Sequence, residues 1–340
     1  MGERGSGATP AARAAAPERA RWWSAAGKAG NRASRTRGRM LAAPAVLTAV
    51  LLAFHQLVPN SPGHLGSLLE SFLPWSGLVI AVLLGPALLR RSAVALLALL
   101  LPVAAWTYLF GGLLLPGAEP GAHHLVVVQH NVSDENTDPA GTARALAEAE
   151  PDLIALEELL PAALPAYERT LAPHYPYHAV VGTVGLWSQH PLTDAEELDI
   201  KPPGITEPWS RGLRAAVRTP HREIAVYVAH LPSVRLNAAG LASSRRDESA
   251  DLLGKAVAAE KLNTVILLGD LNSTVDDRGL APLVSQMNVP ARGFAFSFPA
   301  AFPLARIDQI MARSATIGPI GTLPTTGSDH LPVIAGIGLD

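Results

Sequence analysis

The chain changes its hydrophobic rhythm twice. Residues 1–40 are Ala-, Gly-, Arg- and Ser-rich with little apolar periodicity. Three uncharged apolar runs follow, over residues 41–59, 71–89 and 92–116. A helix needs roughly 20 mainly apolar residues to cross a bilayer core, so these runs predict three transmembrane helices. From residue 125 the period shortens. Apolar runs at 125–129, 152–156, 224–229 and 265–268 read as strands buried on both faces. Residues 139–150 and 238–261 read as helices, the first with Asp138 as N-cap and Pro139 at the first helical position. Strands alternating with helices predict an α/β fold, a sheet layered against helices.

Composition sharpens that division. The chain of 340 residues is 49% hydrophobic and only 16% charged, which excludes a disordered protein. Its net charge of −2 hides a split. Residues 1–116 hold 11 Lys and Arg against 3 Asp and Glu, whereas residues 117–340 hold 16 against 26, a balance of −10. Nine of the basic residues precede the first apolar run, none lies in residues 60–70, and Arg90 and Arg91 occupy the next turn. Basic flanks stay in the cytoplasm. The expected organisation is therefore a basic disordered cytoplasmic tail (1–40), a three-helix transmembrane region (41–116), a Gly/Pro linker (117–122) and an extracytoplasmic domain (123–340). The absence of cysteine excludes disulfides, thiolate metal sites and a Cys nucleophile.

Within the last domain, polar residues recur where apolar runs end. His130 and Asn131 follow one run, Glu157 and Glu158 a second, His230 a third, and Asp270 and Asn272 a fourth. Asp308 lies in Ile307, Asp308, Gln309; Asp329 and His330 lie in Ser328, Asp329, His330. Any one of these reads most simply as a turn or capping residue. Together they predict a cleft at the ends of several strands. Carboxylate and amide oxygens with two histidines and no thiolate suit Mg²⁺ or Mn²⁺.

The order Asn131, Glu158, His230, Gly269-Asp270-Leu271-Asn272, Ile307-Asp308, Ser328-Asp329-His330 resembles the endonuclease/exonuclease/phosphatase superfamily, over residues 125–338. The resemblance implies a four-layer sandwich of two central mixed sheets flanked by helices. It implies Glu158 as principal metal carboxylate, with Asn131 and Asp329 completing the metal and phosphate shell. Asp270 would activate the attacking water and Asn272 would hold that water or a phosphate oxygen. Asp308 would orient His330, which would stabilise charge on the phosphoryl oxygens, and His230 would protonate a leaving oxygen. Two departures stand out. Glu157 replaces the family's usual Gln and is expected to add negative charge beside the metal. His230 lacks its own carboxylate partner in "VGLWSQHPL", leaving Glu207 as a weak substitute.

Charge and placement bear on the substrate. A balance of −10 disfavours nucleic acid, which is bound through Lys and Arg. Arg211, Arg214 and Arg218 read either as a small anion patch or as one exposed strand face. Tethering favours a ligand in the same membrane. The build also resembles actinobacterial membrane-anchored VanJ-type proteins associated with teicoplanin resistance, which implies a lipid-linked phosphate or pyrophosphate of the cell wall as substrate. The alternatives are an extracytoplasmic nuclease, a phospholipase-type phosphodiesterase, or a non-catalytic binding module.

Overall fold

The computed structural model describes residues 38–115 and 123–339. Most of the basic tail and all of the 117–122 linker lie outside them. The first helix, α1, runs from Gly38 to Leu57, so its first three residues come from the segment assigned to the tail. It is followed by α2 (Leu65–Ser71), α3 (Ser76–Leu89) and α4 (Ala93–Leu114). Two helices, α1 and α4, are long and apolar enough to cross a membrane.

The middle run departs from expectation. It is not one straight span, because the helical stretches Leu65–Ser71 and Leu73–Leu89 meet at a 64° bend. Phe72 leaves helical geometry, with φ −112° and ψ 15°, and Pro74 in the following 3-10 turn lacks the N–H that would continue the ladder. The longer arm spans roughly 25 Å at 1.5 Å per residue, a little short of a hydrocarbon core of roughly 30 Å. It nevertheless packs along its neighbours. Ala45, Ala87, Ala95 and Leu99 form one apolar cluster, and Leu52, Leu73 and Phe110 form a second. Gly38 lies against Ser92, so the start of α1 and the turn carrying Arg90 and Arg91 share one end of the bundle.

Among the described residues, the rest of the chain builds two large sheets and a two-stranded hairpin. The first has the order β12 (Thr316–Ile317), β14 (Val333–Gly338), β1 (Leu125–Asn131), β2 (Leu153–Glu157), β4 (Val184–Ser188), β3 (Tyr177–Val181), with β13 (Gly321–Thr322) also on β14. The second runs β11 (Asp308–Arg313), β10 (Val265–Asp270), β7 (Glu223–Ala229), β6 (Gly212–Arg218), β5 (Leu192–Glu197). Both are mixed: β1 and β2 pair in parallel, as do β7 and β10, and their other partners are antiparallel.

One core fills the space between the sheets, with Val127, Leu186, Val226, Leu268 and Ile310 at its centre. The outer face of the first sheet packs on α5 (Pro139–Ala147) and α6 (Leu164–Leu171), and that of the second on α7 (Ser244–Ala259) and α8 (Ala281–Val284). Helices thus flank a pair of mixed sheets, as expected. Asp138 caps α5 by accepting from the Gly141 amide at 2.8 Å. The expected 238–261 helix starts later, at Ser244. Its first residues belong instead to a hairpin of β8 (Arg235–Asn237) and β9 (Gly240–Ala242). Gly240 supplies the φ of 115° that the turn needs, and the Leu241 amide donates to the Gly63 carbonyl at 2.9 Å.

The helical bundle docks directly on this body. The Arg278 guanidinium grips both carboxylate oxygens of buried Glu70, at 2.7 and 2.8 Å, and donates to the carbonyls of His55 and Val58 that end α1. The Trp75 indole N–H donates to the Leu304 carbonyl at 2.7 Å, and its ring stacks on Phe296 at 5.4 Å.

Candidate active site

Strand direction explains why distant residues meet. β1, β2, β7 and β10 all end at one edge of the paired sheets. The antiparallel β11 begins there, with Asp308 opposite Asp270, and the chain enters β14 there just after His330. Asn131, Glu158, His230, Asp270 and Asn272 lie at or just beyond such an end, Asp308 opens β11, and Asp329 and His330 lie just before β14.

Oxygen Oδ2 of Asp270 is the point of convergence. It accepts from Asn131 Nδ2 at 3.0 Å and Asn272 Nδ2 at 3.3 Å. His230 Nε2 lies 3.7 Å from it and His330 Nε2 3.9 Å. The other oxygen, Oδ1, accepts from the Asn272 amide at 2.9 Å. Asn272 sits at φ 48° and Glu158 at φ 58°. Asn tolerates that left-handed conformation. Glu does so at a cost, of the kind found at functional sites. Strand alternation buries Glu157, whereas the bend places the Glu158 carboxylate at the mouth, where Oε2 accepts from the Asp134 amide at 3.2 Å. Ser133, Asp134, Glu158 and exposed Asp329 line this mouth, a cleft of about 580 Å³.

The two histidines differ in charge. Burial opposes a cationic His330, but Asp308, bonded to Nδ1 at 2.8 Å, outweighs it with help from Asp270 and Asp329; the imidazole is lifted to about 10 and stands protonated. Asp308 is itself fixed by Ser297 and by Gln129 Nε2, and these bonds with His330 overcome burial to hold it below the usual carboxylate range. Ser328 ties the assembly together, donating to the Asn131 carbonyl and accepting from the His330 amide. His230 is different. Burial, then Arg211 and His330, push it down to about 3, and neither ring nitrogen has a protein partner. A neutral His230 does not match the expected proton donor. The carboxylates nearest to it are Glu158 at 3.7 Å and Asp270, while Glu207 is exposed. Burial raises Asp270, which His330 opposes and Asp308 reinforces; the net direction is upward, towards a usable base.

Glu157 also departs from expectation. It is fully buried, accepts from Gln129 Nε2 at 2.7 Å, and is pushed well above the carboxylate range by burial and then by Asp308 and Asp270. Its charged form is disfavoured there, and its side chain lies in the core rather than at the mouth. The three arginines separate too. Arg214 forms a two-pronged pair with Glu260, Arg218 pairs with Glu223 on the surface, and only Arg211 faces the site, within the field of Glu158, Asp270 and Asp134. Sequence reasoning passed over Phe298, whose ring lies 4.8 Å from that of His330, and Ser297; both sit in a Phe-rich stretch without a polar signature.

Residues 128–330 match the model of the Endonuclease/Exonuclease/phosphatase family, and the chain belongs to that family. No curated protein matches the chain by sequence. Among solved structures it is similar to a mannosyl-6-phosphatase from Bacteroides thetaiotaomicron, at 17% identity and a TM-score of 0.53, over 63% of this chain and 99% of that one. It is also similar to an endonuclease/exonuclease/phosphatase family protein of the same organism, at 17% and 0.54, over 64% and 98%. A third is a mutant beta toxin from Staphylococcus aureus with bound magnesium ions, at 13% and 0.51, over 62% and 99%. These likenesses concern the fold.

Members of the family hydrolyse phosphoester bonds with the help of divalent metal, and the residues present fit such an ion. Asp270, Asp308 and His330 bring ligand-capable atoms within 4.8 Å of one another, but Asp308 and His330 are already committed to each other. The Glu158 side offers the better place. It combines an accessible carboxylate, Asp329 across the mouth, and His230 Nε2, which lies 3.7 Å from Glu158 Oε1 without a hydrogen bond of its own; the side-chain oxygen of Asn131, which also accepts from the Ser133 amide at 3.0 Å, would complete the set. That donor set is mostly hard oxygen.

Proposed function

We propose that this chain is a membrane-anchored, divalent-metal-dependent phosphohydrolase that acts on a lipid-linked phosphate or pyrophosphate at the outer leaflet. One observation carries the lipid reading: the Phe-rich segment 294–298 touches the catalytic centre with one ring and forms an apolar wall against the membrane helices with two others. Phe298 packs on His330, Phe296 stacks on Trp75, and Phe294 packs on Phe296 at 5.2 Å. Between Phe294, Phe296, α3 and α4 lies a cavity of about 520 Å³ lined by Trp75, Leu78, Val103 and Trp106. Both indole N–H groups are spent on carbonyls, of Leu304 and Pro74, which leaves hydrocarbon faces. A headgroup in the cleft and an apolar chain along this wall fit one lipid.

An ion, Mg²⁺ or Mn²⁺, would be held by Glu158, Asn131 and Asp329 and would supply Lewis-acid neutralisation of phosphoryl charge. The chain's own residues do the rest. Asp270 takes the proton of the attacking water, which Asn272 positions. His330, kept cationic by Asp308, stabilises charge growing on the phosphoryl oxygens. His230, neutral, donates a single N–H hydrogen bond towards substrate.

The catalytic domain is outside in this reading, with α1, α3 and α4 as three crossings. The support is the distribution of charge: Arg39, Arg90 and Arg91 flank one end of the bundle and the catalytic body docks at the other. A contribution to glycopeptide resistance, of the VanJ type, would follow from turnover of a cell-wall lipid carrier. The experiment is incubation of the purified full chain with polyprenyl diphosphate, sphingomyelin and plasmid DNA, with Mg²⁺, Mn²⁺ or chelator. Phosphate release from the prenyl lipid alone supports the reading. Cleavage of DNA with the lipid intact rejects it.

A further inference from the structure

A second cleft opens beside the catalytic centre, on the side of His230. It encloses about 630 Å³, and its lining includes Arg211, Arg235 and Arg245 with Trp209, Ser233 and Glu207. The His230 amide donates to the Arg211 carbonyl at 2.9 Å, so the cleft begins where the catalytic histidine ends. Arg211 is held over the Trp209 ring, 5.3 Å from its centroid, in a cation–π contact that fixes the guanidinium plane. Arg235 is carried by the β8–β9 hairpin, which Gly63 braces from the loop between α1 and α2.

The guanidiniums of Arg211, Arg235 and Arg245 form no hydrogen bond or ion pair among the described residues. Arg214, Arg246 and Arg278, by contrast, are each paired with a carboxylate. Arg211 lies in the field of Glu158, Asp270 and Asp134, whereas exposed Arg235 and Arg245 have only Glu207 among the lining residues to offset them. Such a cluster is stabilised by an anion, and guanidinium forks match phosphate oxygens.

We propose that this cleft binds a second phosphate of the substrate, on the leaving-group side of the scissile bond, so that the preferred substrate is a diphosphate. This deepens the lipid-phosphohydrolase reading and rests on it for the position of the scissile phosphorus. Water oxygen bonds to the phosphorus at Asp270, and the bond from that phosphorus to the bridging oxygen breaks. The bridging oxygen leaves with the electron pair on the second phosphate, which the arginines hold as an anion. The water proton passes to Asp270. The products are one monophosphate that keeps the organic chain and one phosphate that keeps whatever the second phosphorus carried.

The test uses the full chain in detergent with Mg²⁺ and compares kcat/KM on farnesyl diphosphate and farnesyl monophosphate, with uridine diphosphate glucose as a water-soluble diphosphate. Wild type is expected to favour the diphosphate, and R235A/R245A to lower that preference by about ten-fold or more, a change of about 1.4 kcal/mol. Arg218→Ala, whose exposed pair lies elsewhere, is expected to keep it. A preference unchanged in R235A/R245A overturns the proposal. If the soluble diphosphate alone is turned over and its rate falls in R235A/R245A, the cleft stands and the lipid reading fails. If nothing is turned over, calorimetry decides. Methylene diphosphonate binding wild type about ten-fold more tightly than orthophosphate, with the difference lost in R235A/R245A, supports the cleft. Equal binding of the two ligands refutes it.

Discussion

Glu70 of α2 and Arg278 beyond β10 form a two-pronged ion pair, 208 positions apart in sequence, that fastens the helical bundle to the catalytic body. Glu70 is almost wholly buried, and Arg278 also donates to the carbonyls of His55 and Val58 at the end of α1. Arg278→Ala removes the guanidinium and leaves the buried carboxylate with only the His55 ring at 3.1 Å and the backbone amide of residue 278 at 3.0 Å. The expected loss is about 3–5 kcal/mol, read as a lower midpoint of thermal unfolding in detergent. Removing both partners (E70L/R278L) is expected to restore much of it. An unchanged midpoint in Arg278→Ala would show that the two parts are not locked by this pair.

Glu157 offers a test of charge. If burial keeps it neutral, Glu157→Gln is expected to retain metal affinity and activity within about two-fold. The sign of the stability effect follows from linkage. The folded state holds this proton above the reference value of 4.5, so wild type loses stability as pH rises from 4.5 towards the raised value. Glu157→Gln escapes that loss. Its unfolding midpoint relative to wild type is expected to climb as pH rises above 4.5. A flat difference would mean that Glu157 is ionised in the fold.

The His330–Asp308 pair carries the opposite dependence at each end of the pH scale. His330 rises from 6.5 to about 10 on folding, so its contribution is complete below 6.5 and is lost as pH climbs through about 10. Asp308 falls below its reference value of 3.8; its contribution is present above 3.8 and is lost on acidification. Asp308→Asn is expected to be least stable relative to wild type between these limits, with the gap closing on the alkaline side. Denaturant melts at a series of pH values measure it, and a gap that widens above pH 9 would contradict the assignment of charge.

Much of this site is legible in the sequence because it is built from strand ends. A buried strand stays mostly apolar until it nears the edge of the sheet, so the polar residues that close each run mark that edge. Asn131, Glu158, His230 and Asp270 all stand at such edges. What is not legible depends on three-dimensional neighbours. Glu157 and Glu158 are adjacent identical residues, and only strand alternation and a left-handed bend decide which one meets solvent. Arg211, Arg214 and Arg218 look equivalent in sequence, but Glu260 and Glu223 claim two of them. The bend at Phe72 lies inside an uncharged run where hydropathy has no contrast to show it.

The crossing number of the bundle decides the side on which the catalytic body lies. The natural chain contains no cysteine, so a single introduced one is a unique reporter. With three crossings, an impermeant maleimide is expected to label exposed Ala172→Cys in intact cells, and Arg90→Cys only after lysis. If the bent segment returns without crossing, the pattern reverses.

The central claim is that Asp270, at the convergence of Asn131, Asn272, His230 and His330, drives metal-dependent hydrolysis of a lipid phosphate. Phosphate release from polyprenyl diphosphate by purified wild type and Asp270→Asn tests it most directly. Wild type is expected to release phosphate with Mg²⁺ or Mn²⁺ and to stop in chelator, while Asp270→Asn falls by about 10²–10⁴-fold with its fold intact. Release that persists in Asp270→Asn at the wild-type rate, or a wild type inert towards the lipid with every metal, would contradict it.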